Sequence, residues 1–183
     1  MIVKERDKNV LEFISTFHVA KTMTLAELFY PSLRYAQHRL KQMYDNKLLK
    51  RDRDHFTSQY YYYIKKPKQL RHRLIVTDFY LALNRIATIE KFIPEFTVFE
   101  GIRPDAFIAY IYKGKPNIAF LEVELSNNGF DIWKYEKLYK SDIWKKYFPV
   151  FPTIIGITNK SISKTFLSVI QINEDMENLK EVL

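Results

Sequence analysis

The sequence predicts a mixed α/β chain of the α+β kind, built in two parts joined by a helix. Three observations predict it. Apolar residues recur at helical spacing through the first third of the chain. After residue 96 the period shortens to that of strands. The charge also divides unequally. Residues 1–90 carry 17 Lys and Arg against 9 Asp and Glu, a net of +8, whereas residues 91–183 carry 12 against 12. A basic module followed by a neutral one is the expected organisation, with domains at 1–67 and 94–183 and a connecting helix at 68–93.

Residues 6–17 read as a first helix, with Val10, Phe13, Ile14 and Phe17 on one face. Thr24, with Glu27 three residues on, is the expected N-cap of a second helix, which Pro31 forces to end near Phe29. Ser32 caps a third helix running to about Asn46, with Leu33, Ala36, Leu40 and Met43 facing inward. Residues 48–53 and 59–65 read as two extended segments around a polar tip, a hairpin. In the run Tyr60-Tyr61-Tyr62-Tyr63, strand geometry sends alternate rings to opposite faces, two into the core and two outward. Three helices and a hairpin are the element order of a winged helix-turn-helix.

Pro67 closes this module, and residues 70–92 read as one long apolar helix. Three strands follow at 96–100, 106–112 and 118–125, with Lys113-Gly114-Lys115-Pro116 as the turn between the last two. Asn127-Asn128-Gly129 breaks the chain before a helix at 131–147, a fourth strand at 153–158, a last helix at 161–169 and a short strand.

Composition narrows the function. The chain has 183 residues, 47% of them hydrophobic and 27% charged, which is an ordinary globular balance. It has no apolar run near 18 residues and no signal-peptide pattern, so no membrane partner is expected. It contains no cysteine, which excludes disulfides, thiol catalysis and thiolate zinc sites and fits a cytoplasmic protein. His18, His38, His55 and His72 are isolated, which argues against paired-histidine metal chemistry. The four glycines stand singly, so no phosphate-cradling loop and no nucleotide cofactor is expected.

The third helix exposes Arg34, Tyr35, Gln37, His38, Lys41 and Gln42, and the hairpin tip offers Arg51, Arg53, His55 and Ser58 as a wing. Arg, Lys and Gln reach base edges and phosphates in a major groove, so double-stranded DNA is the expected partner. The competing reading is a solvated helix face and a polar loop.

In the second half, Arg103-Pro104-Asp105 leads into an apolar strand, and Leu121-Glu122-Val123-Glu124 lies in the next one. With Lys137 and Tyr139 on the following helix, this pattern resembles the replication-relaxation family of mobile-element proteins. Its members join a winged helix to a small restriction-endonuclease-like domain of the PD-(D/E)XK kind. The resemblance implies Asp105 and Glu122 as catalytic acids that bind Mg2+, with Glu100 on the strand before as a further acid; Glu124 joins them as a catalytic and metal candidate from this chain's own pattern. This chain departs from the pattern at Glu124, where the motif has a lysine; Lys134 or Lys137 would supply that charge from the helix. Against this stands plain strand alternation, a polar face satisfied by ion pairs.

The expectation is therefore a DNA-binding accessory protein of plasmid or mobile-element replication or conjugative transfer, with a nuclease-like second domain that is not catalytic. A homodimer on repeated half-sites and a relaxase or replication initiator are the expected partners. The alternatives are a magnesium-dependent endonuclease or nickase, and a transcriptional repressor.

Overall fold

The computed structural model describes residues 2–54, 57–97, 99–126 and 129–183. It is a mixed α/β structure with two sheets, divided into the units Met1–Leu81 and Ala82–Leu183.

The first unit holds helices α1 (Glu5–Phe17), α2 (Thr22–Phe29) and α3 (Leu33–Asp45) and the strands β1 (Ala20–Lys21), β2 (Lys50–Arg53) and β3 (Tyr60–Tyr63). Val10, Phe13, Ile14 and Phe17 of α1, Leu25 of α2, and Ala36, Leu40 and Met43 of α3 are all buried, as their spacing requires. Each large apolar side chain so buried contributes about 1.5–3 kcal/mol. Phe13 stacks on Phe17 with centroids 4.3 Å apart and meets the edge of Phe29. The Ser32 hydroxyl accepts from the Tyr35 N–H and starts α3 as expected. Leu33 does not face inward: at the first position of α3 it lies on the exposed side.

The cap expected at Thr24 falls elsewhere. Helix α2 begins two residues earlier, at Thr22, and Thr24 is buried within it. The start is set by β1, whose Ala20 and Lys21 pair with Tyr62 and Tyr61. The Thr22 hydroxyl donates to the Tyr60 carbonyl at 2.9 Å, tying the helix to the strand. That extra strand also alters the tyrosine run. With β1 on one side and β2 on the other, β3 is central in the order β1-β3-β2. Tyr61, Tyr62 and Tyr63 are buried and Tyr60 alone is exposed, so three rings rather than two are internal. Tyr61 and Tyr63 pack with Val19 and Leu74.

The connecting helix is shorter than expected. Helix α4 covers Leu70–Asn84, and the border between the units falls within it. Thr88–Pro94, expected as its last turns, is strand β4. The spacing of Ile86, Ile89 and Phe92 is helical, and the partner strand β5 (Ala106–Tyr112) overrides it by pairing from Thr88↔Ile111 to Pro94↔Ala106, with a register shift between Ile89 and Lys91. The strand expected at 96–100 is absent from the described residues there: Phe99 makes a lone bridge to Ile102 around Gly101, whose φ of +73° suits glycine.

The second unit is a five-stranded sheet in the order β4-β5-β6-β7-β8, with β6 at Lys115–Val123, β7 at Thr153–Ile157 and β8 at Val169–Ile172. Strands β4 to β6 are antiparallel, and β5 turns into β6 through Lys113 and Gly114, both at positive φ. Strands β6, β7 and β8 run parallel. Helix α5 (Trp133–Lys140) lies in the crossover from β6 to β7. The helix expected over 131–147 is broken after Lys140. The Ser141 hydroxyl donates back to the Leu138 carbonyl, Asp142 takes a left-handed φ of 59°, and Ile143–Lys146 forms a 3-10 turn. No helix forms at 161–169; there Leu167 is buried, and the Thr165 hydroxyl bonds Glu136 at 2.7 Å. A short helix α6 (Leu179–Val182) ends the chain.

The core beside α5 is aromatic. Phe107, Phe120 and Ile154 stand in register across β5, β6 and β7 and pack with Phe130, Ile132, Tyr135 and Trp144. Gly156 belongs to this packing. A Cβ there would lie 2.7 Å from the Phe130 ring and 2.8 Å from Ile162, so only glycine lets the ring lie against the strand. Among the described residues no helix is long and apolar enough to cross a membrane.

Candidate functional sites

The candidate residues fall in both units, and each group is built from its own unit's elements. In the first unit, Gln37 and Lys41 lie one turn apart on α3, which places them on one stripe of the helix. With Arg51 of β2 and with Ser58, Gln59 and Tyr60 they line a cleft of about 450 Å3. Arg51 is held in place by two rings: its guanidinium lies 4.4 Å from the Tyr44 centroid and 4.4 Å from that of Tyr60. Arg53 is exposed, and its Nε donates to the Ser58 carbonyl at 2.9 Å, which pins the hairpin tip. Lys41 pairs with Asp45 at 2.6 Å on the open surface, an arrangement worth little and readily exchanged for another anion.

The structure thus brings Gln37, Lys41, Arg51 and Ser58 together. Arg34 and His38 are exposed on the neighbouring stripe of α3. Tyr35 and Gln42 stand instead beside Arg39, and Gln42 accepts from its guanidinium at 2.8 Å. His55 lies outside the described residues. Sequence reasoning missed Tyr44 and Tyr60 as the clamp on Arg51; the signal was an exposed strand tyrosine placed across from a basic residue, Arg53↔Tyr60.

A buried ion pair ties α3 to α1. Asp7 is fully buried, and Arg39 grips both its oxygens, Nε at 2.9 Å and Nη2 at 2.5 Å, while also donating to the Ile2 carbonyl. Burial alone would raise the Asp7 carboxyl. The Arg39 hydrogen bonds, the Lys4 N–H and the Arg39 charge outweigh it, and the carboxyl stays below its ordinary range.

In the second unit the predicted acids separate into distinct roles. Asp105 precedes β5, and its Oδ2 accepts from the Val123 N–H at 2.7 Å, fastening the end of β6. Glu122 points to the α5 side of the sheet. Its Oε1 pairs with Lys134 at 2.5 Å and accepts a short hydrogen bond from the Tyr135 hydroxyl. Burial pushes the Glu122 carboxyl up, the Lys134 charge draws it back, and the nearby Asp105 charge pushes it up again; the net is above the ordinary range. The buried Tyr135 hydroxyl is driven far upward by burial and by Glu122, so it stays protonated and donates. Glu124 turns its Oε1 to the Ser126 N–H at 2.6 Å.

The four expected metal ligands do not converge. Among the described residues, no group of three or more His, Asp or Glu side chains is arranged to hold one ion. Asp105 and Glu122 lie within electrostatic reach of each other, and Lys134 is the helix lysine that pairs with Glu122. Glu100 and Lys137 line a neighbouring cavity of about 550 Å3 together with Trp133, Lys134 and Asp131. Two carboxylates suit magnesium, which keeps most of its waters, but here one of them already satisfies an ammonium and a phenol.

Compared with protein-family models, with curated protein sequences and with solved structures, the chain finds no match in any of the three.

Proposed function

We propose that this protein binds double-stranded DNA through its first unit, read as a winged helix-turn-helix. The observation that carries the reading is the convergence of Gln37, Lys41, Arg51 and Ser58 on one cleft, in the half of the chain that holds the whole +8 excess. On this reading α3 enters the major groove with Arg34, Gln37, His38 and Lys41, and the β2–β3 tip grips the backbone. A role as an accessory in plasmid or mobile-element replication or transfer, with a homodimer and a relaxase or initiator as partners, rests on the resemblance to the replication-relaxation family. The test is fluorescence anisotropy with duplex DNA over a salt series. Arg34→Ala with Lys41→Ala removes two cations, so binding should weaken and the slope of log K against log salt should fall by about 2. Unchanged binding would mean that α3 is not the recognition helix.

A second reading is favoured by the meeting of Asp105, Glu122 and Lys134, which resembles the acid–acid–lysine set of a PD-(D/E)XK nuclease with the lysine supplied from α5. The protein would then cut DNA with Mg2+ held by Asp105 and Glu122. Magnesium-dependent nicking of supercoiled plasmid that disappears in Asp105→Asn would establish it. The absence of nicking would leave the second unit a non-catalytic partner of the first.

A further inference from the structure

The cavity against α5 is unlike an ordinary surface depression in what it leaves uncovered. Trp133 is 59% exposed and Ile143 49% exposed at its wall, an unusual amount of ring and aliphatic surface to leave in water. Lys137 stands one helical turn from Trp133, on the same stripe of α5. Among the described residues Lys137 makes no ion pair, whereas Lys134 is already held by Glu122. The pattern continues beyond the cavity. Lys140, Lys145 and Lys146 lie between the exposed rings of Tyr139 and Tyr147 along α5 and the 3-10 turn, with Lys145 paired to Asp142 at 2.8 Å on the open surface. Five lysines fall between residues 134 and 146, although the second half of the chain is neutral as a whole.

We propose that this cavity takes one unstacked nucleotide of a single-stranded nucleic acid, with the base against the Trp133 indole and the backbone phosphates along Lys137 and the lysines that follow. A volume of about 550 Å3 lies within the range of small-ligand pockets, which is about 300–1,000 Å3. Aromatic rings interleaved with cations bind single strands because every base has a face to stack and every linkage a charge to neutralise. The two carboxylates in the wall, Glu100 and Asp131, repel phosphate but accept from the amino groups of cytosine, adenine or guanine. An anionic bilayer would use the same lysines and rings. It would also press its phosphates against Glu100 and Asp131, and its broad face suits a concavity less well than a single planar base does. This site is independent of the duplex-binding cleft.

The test uses the intact chain and its own fluorescence, because Trp133 is exposed whereas the other tryptophan, Trp144, is 7% exposed. A deoxycytidine hexamer titrated at low salt should give saturable quenching that is lost in Trp133→Phe. Trp133→Ala, followed with a labelled hexamer, should weaken binding roughly tenfold. Lys137→Ala should lower the salt slope by about 0.7, the value of one single-strand phosphate contact. The Arg34→Ala, Lys41→Ala variant should quench like the parent, which separates this site from the first. Absence of quenching, quenching with affinity unchanged in Lys137→Ala, or quenching by phosphatidylglycerol vesicles but not by the hexamer would overturn the proposal.

Discussion

Replacing Arg39 by alanine isolates the effect of one buried charge. Asp7 has no exposed surface, and its carboxylate has two kinds of partner, the Arg39 guanidinium and the Lys4 N–H at 2.7 Å. Removing Arg39 leaves an anion closed to water with only the Lys4 N–H and the neighbouring Tyr30 hydroxyl to compensate it. Breaking such a pair costs about 3–5 kcal/mol. The pair is shallow, and the Arg39 side chain is still 11% exposed, so the lower end, about 3 kcal/mol, is the expected loss. In urea, at a slope of about 1–3 kcal/mol per molar, the unfolding midpoint falls by about 1–3 M. Far-UV circular dichroism is the suitable signal, because α1, α2 and α3 lie in this unit and both tryptophans lie in the other. The double variant Asp7→Leu, Arg39→Met removes both charges and should return to within about 1 kcal/mol of the parent. The pH dependence supplies a sign. In the parent, the Asp7 carboxyl sits below its usual value, so its contribution is present above pH 3.8 and is lost as the pH falls through the lower native value. In Arg39→Ala, burial is opposed by the Lys4 N–H and the Lys4 charge but no longer by Arg39, so the carboxyl should rise and stability should be lost as the pH rises through it. The gap between variant and parent should therefore narrow in acid. A loss under about 1 kcal/mol, or a gap independent of pH, would refute the argument that Asp7 is a desolvated charge.

Two further predictions concern the second unit. Gly156→Ala places a Cβ 2.7 Å from Phe130, and overpacking of this kind should cost about 1–3 kcal/mol in a thermal or urea melt; a neutral result would mean that the ring moves aside freely. The raised Glu122 carboxyl favours the protonated fold, so its contribution is full below pH 4.5 and declines as the pH rises through the native value. Glu122→Gln keeps an acceptor for the Tyr135 hydroxyl and removes the titration. Its urea midpoint should therefore lack that decline between pH 4 and 7, and parallel curves for parent and variant would count against a desolvated Glu122.

The separate fates of Glu122 and Glu124 illustrate how far spacing reaches. Alternation along a strand puts both on one face, and that much followed from Leu121-Glu122-Val123-Glu124 alone. Lys134 as a partner for Glu122 was also foreseeable, because a helix after the strand had to return across the sheet. What spacing could not supply was that Glu124 lies past the last paired residue of β6, where its carboxylate turns to the Ser126 N–H. The four carboxylates therefore do not form one ligand set, although their order in the chain suggested it.

By itself the sequence determined the basic–neutral division, the three helices with their buried faces, the hairpin, and the strands around Lys113-Gly114. Each of these depends on local periodicity, on a cap or breaker, or on charge, and such signals are complete within a few residues. The tertiary structure alone decided the rest. Thr88–Pro94 became a strand because β5 offered it a ladder, and three tyrosines of β3 were buried because β1 pairs with it from far along the chain, Ala20 with Tyr62, and makes that strand central. Gly156 was required because Phe130 lies against it, and Asp7 met Arg39 from another helix. Those outcomes depend on which distant backbone groups and surfaces are adjacent, and short apolar runs that suit helix and strand alike carry no record of it.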